Sequence, residues 1–221
     1  MPVCLVEHSF NSYETHTEDI HNYLYAYNHL PNLYTFELLM TAHPWLAETP
    51  WPTQQLDRKE LEERIEHFLA THWMGVLSTI GKNGPIGTPV EYHGTGRVVY
   101  ILPQPNSPKV KAMQNDPRVC FAIYGENCNW ASVQGAQMFG NAEFVEPGTS
   151  AHEQAMTIYK WQSSALQLGK SLDKAPQVPL LKINPERIVY TQQWLRKDDY
   201  APRQVWHKDP NKKAATRSYG H

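Results

Sequence analysis

Leu61, Ile65, Phe68 and Leu69 recur at helical intervals, with Arg58, Glu62, Glu63 and Glu66 on the opposite face, and this pattern predicts an amphipathic helix. Asp57 followed three residues later by Glu60 has the spacing of a capping box, and the pattern stops near Thr71-His72. From Trp73 the period shortens to that of strands. Met74 to Ile80 and Ile86 to Tyr92 are apolar, β-rich runs joined by Gly81-Lys82-Asn83-Gly84, which reads as a hairpin. After a turn at His93-Gly94-Thr95-Gly96 come a third strand, Arg97 to Leu102, a Pro-rich turn, a short helix closed by Asn115-Asp116-Pro117, and a fourth strand, Val119 to Tyr124. Trp130 to Val145 reads as a long fifth strand with a bulge or close backbone approach at Gly135 and Gly140. Ser150 to Leu168 is a predicted helix, and Leu180 to Tyr190 a last strand broken at Asn184-Pro185.

Six antiparallel strands with few helices predict a mainly β protein with peripheral helices, closed as a small barrel because an open sheet would leave two sticky edges. Residues 1–55, rich in Tyr, His and Pro, read as an N-terminal extension laid over the barrel or a dimer partner. Residues 56–195 form the barrel domain, and 196–221 a basic tail that is mobile or partner-bound.

Charge refines this outline. The net charge of −2 over 221 residues recruits neither nucleic acid nor anionic membrane. It is unevenly spread: no Lys or Arg precedes Arg58, while Arg196, Lys197, Arg203, Lys208, Lys212, Lys213 and Arg217 crowd the tail. No apolar window is long enough to span a bilayer. Three cysteines without metal spacing (Cys4, Cys120, Cys128) and no apolar leader predict a reducing, cytoplasmic location. His8, His16, His21, His29 and His43 match no compact ligand pattern and read as structural, so no metal site is predicted.

No dinucleotide fingerprint, Walker loop, nucleophile elbow or His-Glu-x-x-His pair is present. Cys120, inside a strand between Val119 and Phe121, reads as a packed core residue. No catalytic residue can be named, and a chain without its own acid, base or nucleophile constellation leaves chemistry to a cofactor. The one stretch suited to holding it runs from Tyr100 to Pro117. There Ser107, Lys109 and Lys111 stand at a helix mouth, where unpaired amides and a positive dipole end favour phosphate. The same residues also describe a plain helix cap with solvated lysines.

The ordered set Gly-Val-Leu-Ser-Thr-Ile (75–80), Gly-Pro-Ile-Gly-Thr-Pro-Val-Glu-Tyr (84–92), Val-Val-Tyr (98–100), Ser107-x-Lys109, Asn-Asp-Pro-Arg-Val (115–119) and Gly-Asn-Ala-Glu-Phe-Val (140–145) resembles the FMN-binding split barrel of the pyridoxamine 5'-phosphate oxidase-like superfamily. The resemblance covers about residues 56–190. It implies a homodimer with FMN at the interface and a small organic substrate. It also implies that Ser107 and Lys109 hold the phosphate, with Lys111 as the weaker alternative. Thr88, Pro89, Val90, Glu91 and Tyr92, leading to His93, would run along the isoalloxazine ring, and Val76 to Thr79 would line the facing wall. Gln137, or Gln134 if Gly135 is the family glycine, would reach the cofactor, and Trp130 or Trp194 would cover the ring.

The departures bear on substrate. Thr88 stands where true pyridoxamine 5'-phosphate oxidases carry a basic residue. The helix after the fifth strand offers Tyr159, Lys160 and Ser163 but no arginine, and the terminal Arg-Leu-His motif is missing. A vitamin phosphate would lose several charge-assisted contacts, so oxidation of vitamin B6 is not expected. Relatives of the fold also hold haem or deazaflavin or simply store flavin, which makes a binding protein the alternative, with His93, His207 or His221 as axial ligands. The third alternative is a metal- or partner-binding role for the His-rich head.

Overall fold

A computed structural model describes residues 51–125 and 132–212, all within one compact unit, Trp51–Arg217. Its first element, α1 (Arg58–Thr71), forms where the pattern predicts it. Asp57 Oδ1 accepts from the Glu60 amide at 2.9 Å, and Leu61, Ile65, Phe68 and Leu69 are its buried face.

The strands are β1 (Met74–Gly81), β2 (Gly84–Glu91), β3 (His93–Thr95), β4 (Val98–Ile101), β5 (Arg118–Tyr124), β6 (Gln134–Val145), β7 (Leu180–Gln192) and β8 (Arg203–His207). All lie in one antiparallel sheet in the order β2-β1-β5-β6-β7-β4-β3, with β8 added beside β7. The helices α2 (Pro108–Asn115), α3 (Ser150–Ile158) and α4 (Trp161–Gln167) and a 3₁₀ turn (Gln193–Asp198) are peripheral. This is the predicted mainly β, curled split-barrel architecture. Consecutive strands β2 and β3 sit at the two ends of the hydrogen-bonded path, so the curl is joined at this seam by the covalent link through Tyr92. The main core fills the curl, and a second cluster lies under α3 and α4.

Four sequence expectations need correction. The sheet has eight strands where six were expected, because His93–Thr95 pairs with β4 instead of merely turning and the basic tail supplies β8. The tail's net charge hid that second strand: Gln204 and Trp206 alternate inward between Arg203, Val205 and His207, and the Trp206 indole donates to Glu62 at 2.7 Å beneath the guanidinium groups of Arg58 and Arg97. The Asn184-Pro185 break does not end β7. Pro185 lies opposite Gly140 where the register shifts after Phe139, a position at which its missing N–H is tolerated. The helix from Ser150 to Leu168 divides at Tyr159-Lys160. Tyr159 and Trp161 both enter the second cluster, and a straight helix would set them about 200° apart. Cys120 is half-buried, and the alternation that buries Val119 and Phe121 turns it to the outer face of the sheet.

Both predicted close approaches are present. A Cβ on Gly135 would lie 2.9 Å from the Ile123 carbonyl oxygen, and one on Gly140 2.7 Å from that of Asn184.

Candidate cofactor site

Beyond β4 the chain turns at Gln104-Pro105-Asn106-Ser107, where the Ser107 amide donates to the Gln104 carbonyl at 3.3 Å and Asn106 takes φ 62°. Proline followed by a left-handed asparagine is the chemistry of a type II turn. The turn delivers Ser107 to the N-cap of α2. Its carbonyl accepts the Lys111 amide at 3.1 Å, but its side chain does not cap the helix. Instead Ser107 Oγ is buried with no hydrogen-bond partner. A buried hydroxyl without a partner costs on the order of 1–3 kcal/mol, and none of the described residues supplies an acceptor. Lys109, half-buried, adds its charge in the first turn, and the amides there are those a helix start leaves unpaired. Lys111 is exposed.

The seam between β2 and β3 brings further polar groups together. Glu91 accepts from the Ser164 hydroxyl of α4 at 2.8 Å. His93 Nδ1 is buried without a partner, and its ring meets that of Tyr159 edge-on at 5.1 Å between centroids. Burial lowers the pKa of His93, with Glu91 acting upward and Lys160 downward. Burial, then the Glu91 charge, push Tyr159 up to about 12, partly offset by hydrogen bonds from Ser164 and the Leu102 backbone. At neutral pH both rings are uncharged hydrogen-bonding groups.

Register sorts the strand residues by face. Thr88 and Val90 lie opposite Leu77 and Gly75 and point inward, and Val90 packs on the core. Tyr92 is fully buried, and its hydroxyl donates to the Leu69 carbonyl at 3.0 Å. Its ring is therefore part of the core, and its one hydroxyl donor is already used. Pro89 and Glu91 face outward. Pro89, Val76, Ala122, Gln137, Val189 and Val205 stand directly opposite one another in a single row across six strands. Gln137 is the one amide in this apolar row and is exposed. Met74, Ile80 and Tyr124, on the same outer face, are 47%, 46% and 64% exposed.

The alternative glutamine has another role. Gln134 donates to the Tyr190 hydroxyl at 2.6 Å, and with His72, Trp73 and Trp194 it lines a cavity of about 340 Å³ at the end of α1. Trp130, Cys4, Cys128, His221 and the five histidines of the head lie outside the described residues. Among the described residues no group of three or more His, Cys, Asp or Glu could hold a metal ion, and no helix is long and apolar enough to cross a membrane. Sequence reading missed the seam cluster of Glu91, Tyr159 and Ser164 because the contact joins positions 73 residues apart.

Residues 61–192 match the family model described as pyridoxamine 5'-phosphate oxidase, which is more than half of the chain. The chain belongs to that family. No curated protein matches the sequence. Among solved structures, a haem-binding protein from Mycobacterium smegmatis is 15% identical with a TM-score of 0.51, the alignment covering 65% of this chain and 57% of that one. A candidate pyridoxamine 5'-phosphate oxidase from Listeria innocua is 22% identical over 59% of this chain and 97% of that one, with a TM-score of 0.48. General Stress Protein 26 from Bacillus anthracis is 20% identical over 67% and 98%, with a TM-score of 0.49. At these identities the likeness is one of fold.

Proposed function

We propose that this protein binds FMN in a homodimer and uses it as an oxidoreductase on a small organic substrate. The observation that carries the reading is the buried, unpartnered Ser107 hydroxyl at the start of α2, in the turn where the family places the phosphate. Ser107 donates to the phosphate, Lys109 offsets its charge, and the first-turn amides of α2 point at it. Bound FMN supplies two-electron transfer at its ring system. Edge strand β2 offers backbone groups that no other strand of the described residues uses, with Pro89 and Glu91 on the outer face and Thr88 and Val90 behind them. The apolar outer row is the surface that a second copy covers, which brings Gln137 into the interface. His93 and Tyr159, neutral and half or wholly shielded, hold hydrogen-bonding groups beside the seam without adding charge.

The absorption spectrum of the purified protein, with and without added FMN, tests this. A flavin band is expected, and a protein that stays colourless and takes up no FMN overturns the reading. Ser107→Ala and Lys109→Ala should each weaken FMN by about tenfold while leaving riboflavin unchanged, since a charge-assisted phosphate contact is worth roughly 1.5 kcal/mol or more. Equal weakening of both ligands moves the phosphate elsewhere.

The unpartnered His93 Nδ1 favours one second reading, a haem- or deazaflavin-binding protein on the same fold. The Mycobacterium smegmatis neighbour binds haem. A Soret band on haem titration that is lost in His93→Ala supports it, and a flat titration removes it.

A further inference from the structure

At the β-bulge between β6 and β7, beyond the far end of α2 from Ser107, a cavity of about 420 Å³ opens on the outer face of the sheet. Register builds its floor. Phe139, Arg187 and His207 lie directly opposite one another on β6, β7 and β8, so their side chains share one face. The Arg187 guanidinium lies over the Phe139 ring at 4.0 Å, which leaves the edge of the fork turned away from the ring. No carboxylate pairs with Arg187 or with Lys212, which also lines the cavity, among the described residues. Of the nearby carboxylates, Glu186 pairs with Lys208 at 3.2 Å, Asp116 with Arg118 at 2.6 Å, and Asp209 Oδ1 accepts from the Asn211 amide at 2.9 Å. His207 Nε2 is buried with no hydrogen-bond partner among the described residues. Two unneutralised cations and a buried ring nitrogen without a partner, around a space the size of a small-ligand pocket, lack only an anion.

We propose that this cavity is a second anion site, which takes the phosphoryl group of a small molecule through Arg187, Lys212 and His207. Arg187 supplies a planar fork suited to two oxygens, Lys212 a mobile point charge, and His207 a directed donor. The charged groups around His207 are Arg187 and Glu186 on β7, Arg118 on β5, Lys212 and Asp209 beyond β8, and Arg58 of α1, which donates to its carbonyl at 3.1 Å. Burial, then Arg187 and Lys212, hold its pKa below the ordinary value, with Asp209 acting upward. An anion seated among these groups reverses the repulsion and favours the protonated ring. Affinity for an anion that does not itself titrate must therefore rise as pH falls through the histidine range.

Calorimetric titration of the full chain, saturated with FMN, tests the site. Inorganic phosphate should bind the wild type at neutral pH. Arg187→Gln, which keeps most of the stem over Phe139, should weaken phosphate by about tenfold, and Lys212→Ala by about threefold. Lys212 is exposed, so its variant keeps the test open should Arg187→Gln lower the melting temperature. With inorganic sulfate as the non-titrating probe, binding should tighten between about pH 8 and about pH 6, and His207→Gln should flatten that dependence. FMN retention should be unchanged in all three variants. Phosphate affinity equal to wild type in both Arg187→Gln and Lys212→Ala overturns the site. Loss of FMN in Arg187→Gln also overturns it, because the cavity would then belong to the cofactor.

Discussion

At the scale of single residues, two side chains separate in meaning although they stand close to the same turn and seam. Tyr92 reads in the sequence as a strand residue beside the cofactor, yet its hydroxyl is satisfied by Leu69 and its ring packs edge-on to Phe121 at 5.2 Å. Ser107 reads in the sequence either as a phosphate ligand or as an ordinary cap, and although it stands at the N-cap its side chain makes no cap bond. His93 carries a test at this scale. Burial lowers its pKa, so below the unfolded value of about 6.5 the unfolded chain holds the proton more readily than the folded one. Its contribution to stability is complete above that pH and is lost as pH falls through it. The melting temperature should therefore fall less steeply between about pH 7 and about pH 5 in His93→Gln than in the wild type. Some slope should remain from His207, whose pKa is lowered in the same direction. Identical slopes in variant and wild type would show that His93 is not shielded in solution.

Among the elements, α1 was legible almost to the residue because its cap, period and end are all local. The β6–β7 pair, the longest ladder in the sheet, was legible only in part. Gly140 signalled the close approach, but its partner, Pro185, was read as a break because a strand's tolerance of proline depends on which neighbour lies beside it. A methyl group at Gly140 would press on the Asn184 carbonyl at 2.7 Å, an atom that cannot rotate away. Gly140→Ala should cost about 2 kcal/mol in chemical denaturation, with Gly84→Ala as a control that meets no atom but strains a φ of 125°. A Gly140→Ala change within experimental error of zero would mean the bulge relaxes. The break of the predicted 150–168 helix was invisible for a related reason: two aromatic residues demanded by one cluster forced the turn.

On the scale of the molecule, the barrel closes through the chain at Glu91-Tyr92-His93, which leaves β2 with one edge unpaired among the described residues and the outer face with an apolar row. In the proposed dimer that row is covered, while the cavity at Phe139, Arg187 and His207 lies beyond it, one row further along β6, β7 and β8, and a stable interface buries on the order of 1,600 Å² in total. Sedimentation equilibrium should give a dimer for the wild type. Ala122→Lys, which puts an ammonium in the centre of the row, should give a monomer with weakened FMN. A wild type that is monomeric at about 10 μM would remove the interface, because obligate contacts of this size persist well below that concentration.

Periodicity, caps and turn residues by themselves determined the helix before the barrel, the alternation of the strands, the antiparallel β class and the Ser-x-Lys turn, because each rests on interactions within a few residues. The order of motifs was enough to suggest the family. Tertiary structure alone decided which face of each strand is inside, that the basic tail hides a strand anchored by Trp206, and that Tyr92 belongs to the core. It also decided that Ser107, His93 and His207 each bury a polar atom with nothing to bond. These are properties of partners distant in sequence. Burial and hydrogen-bond satisfaction depend on what the fold brings alongside a residue, and no local pattern encodes them.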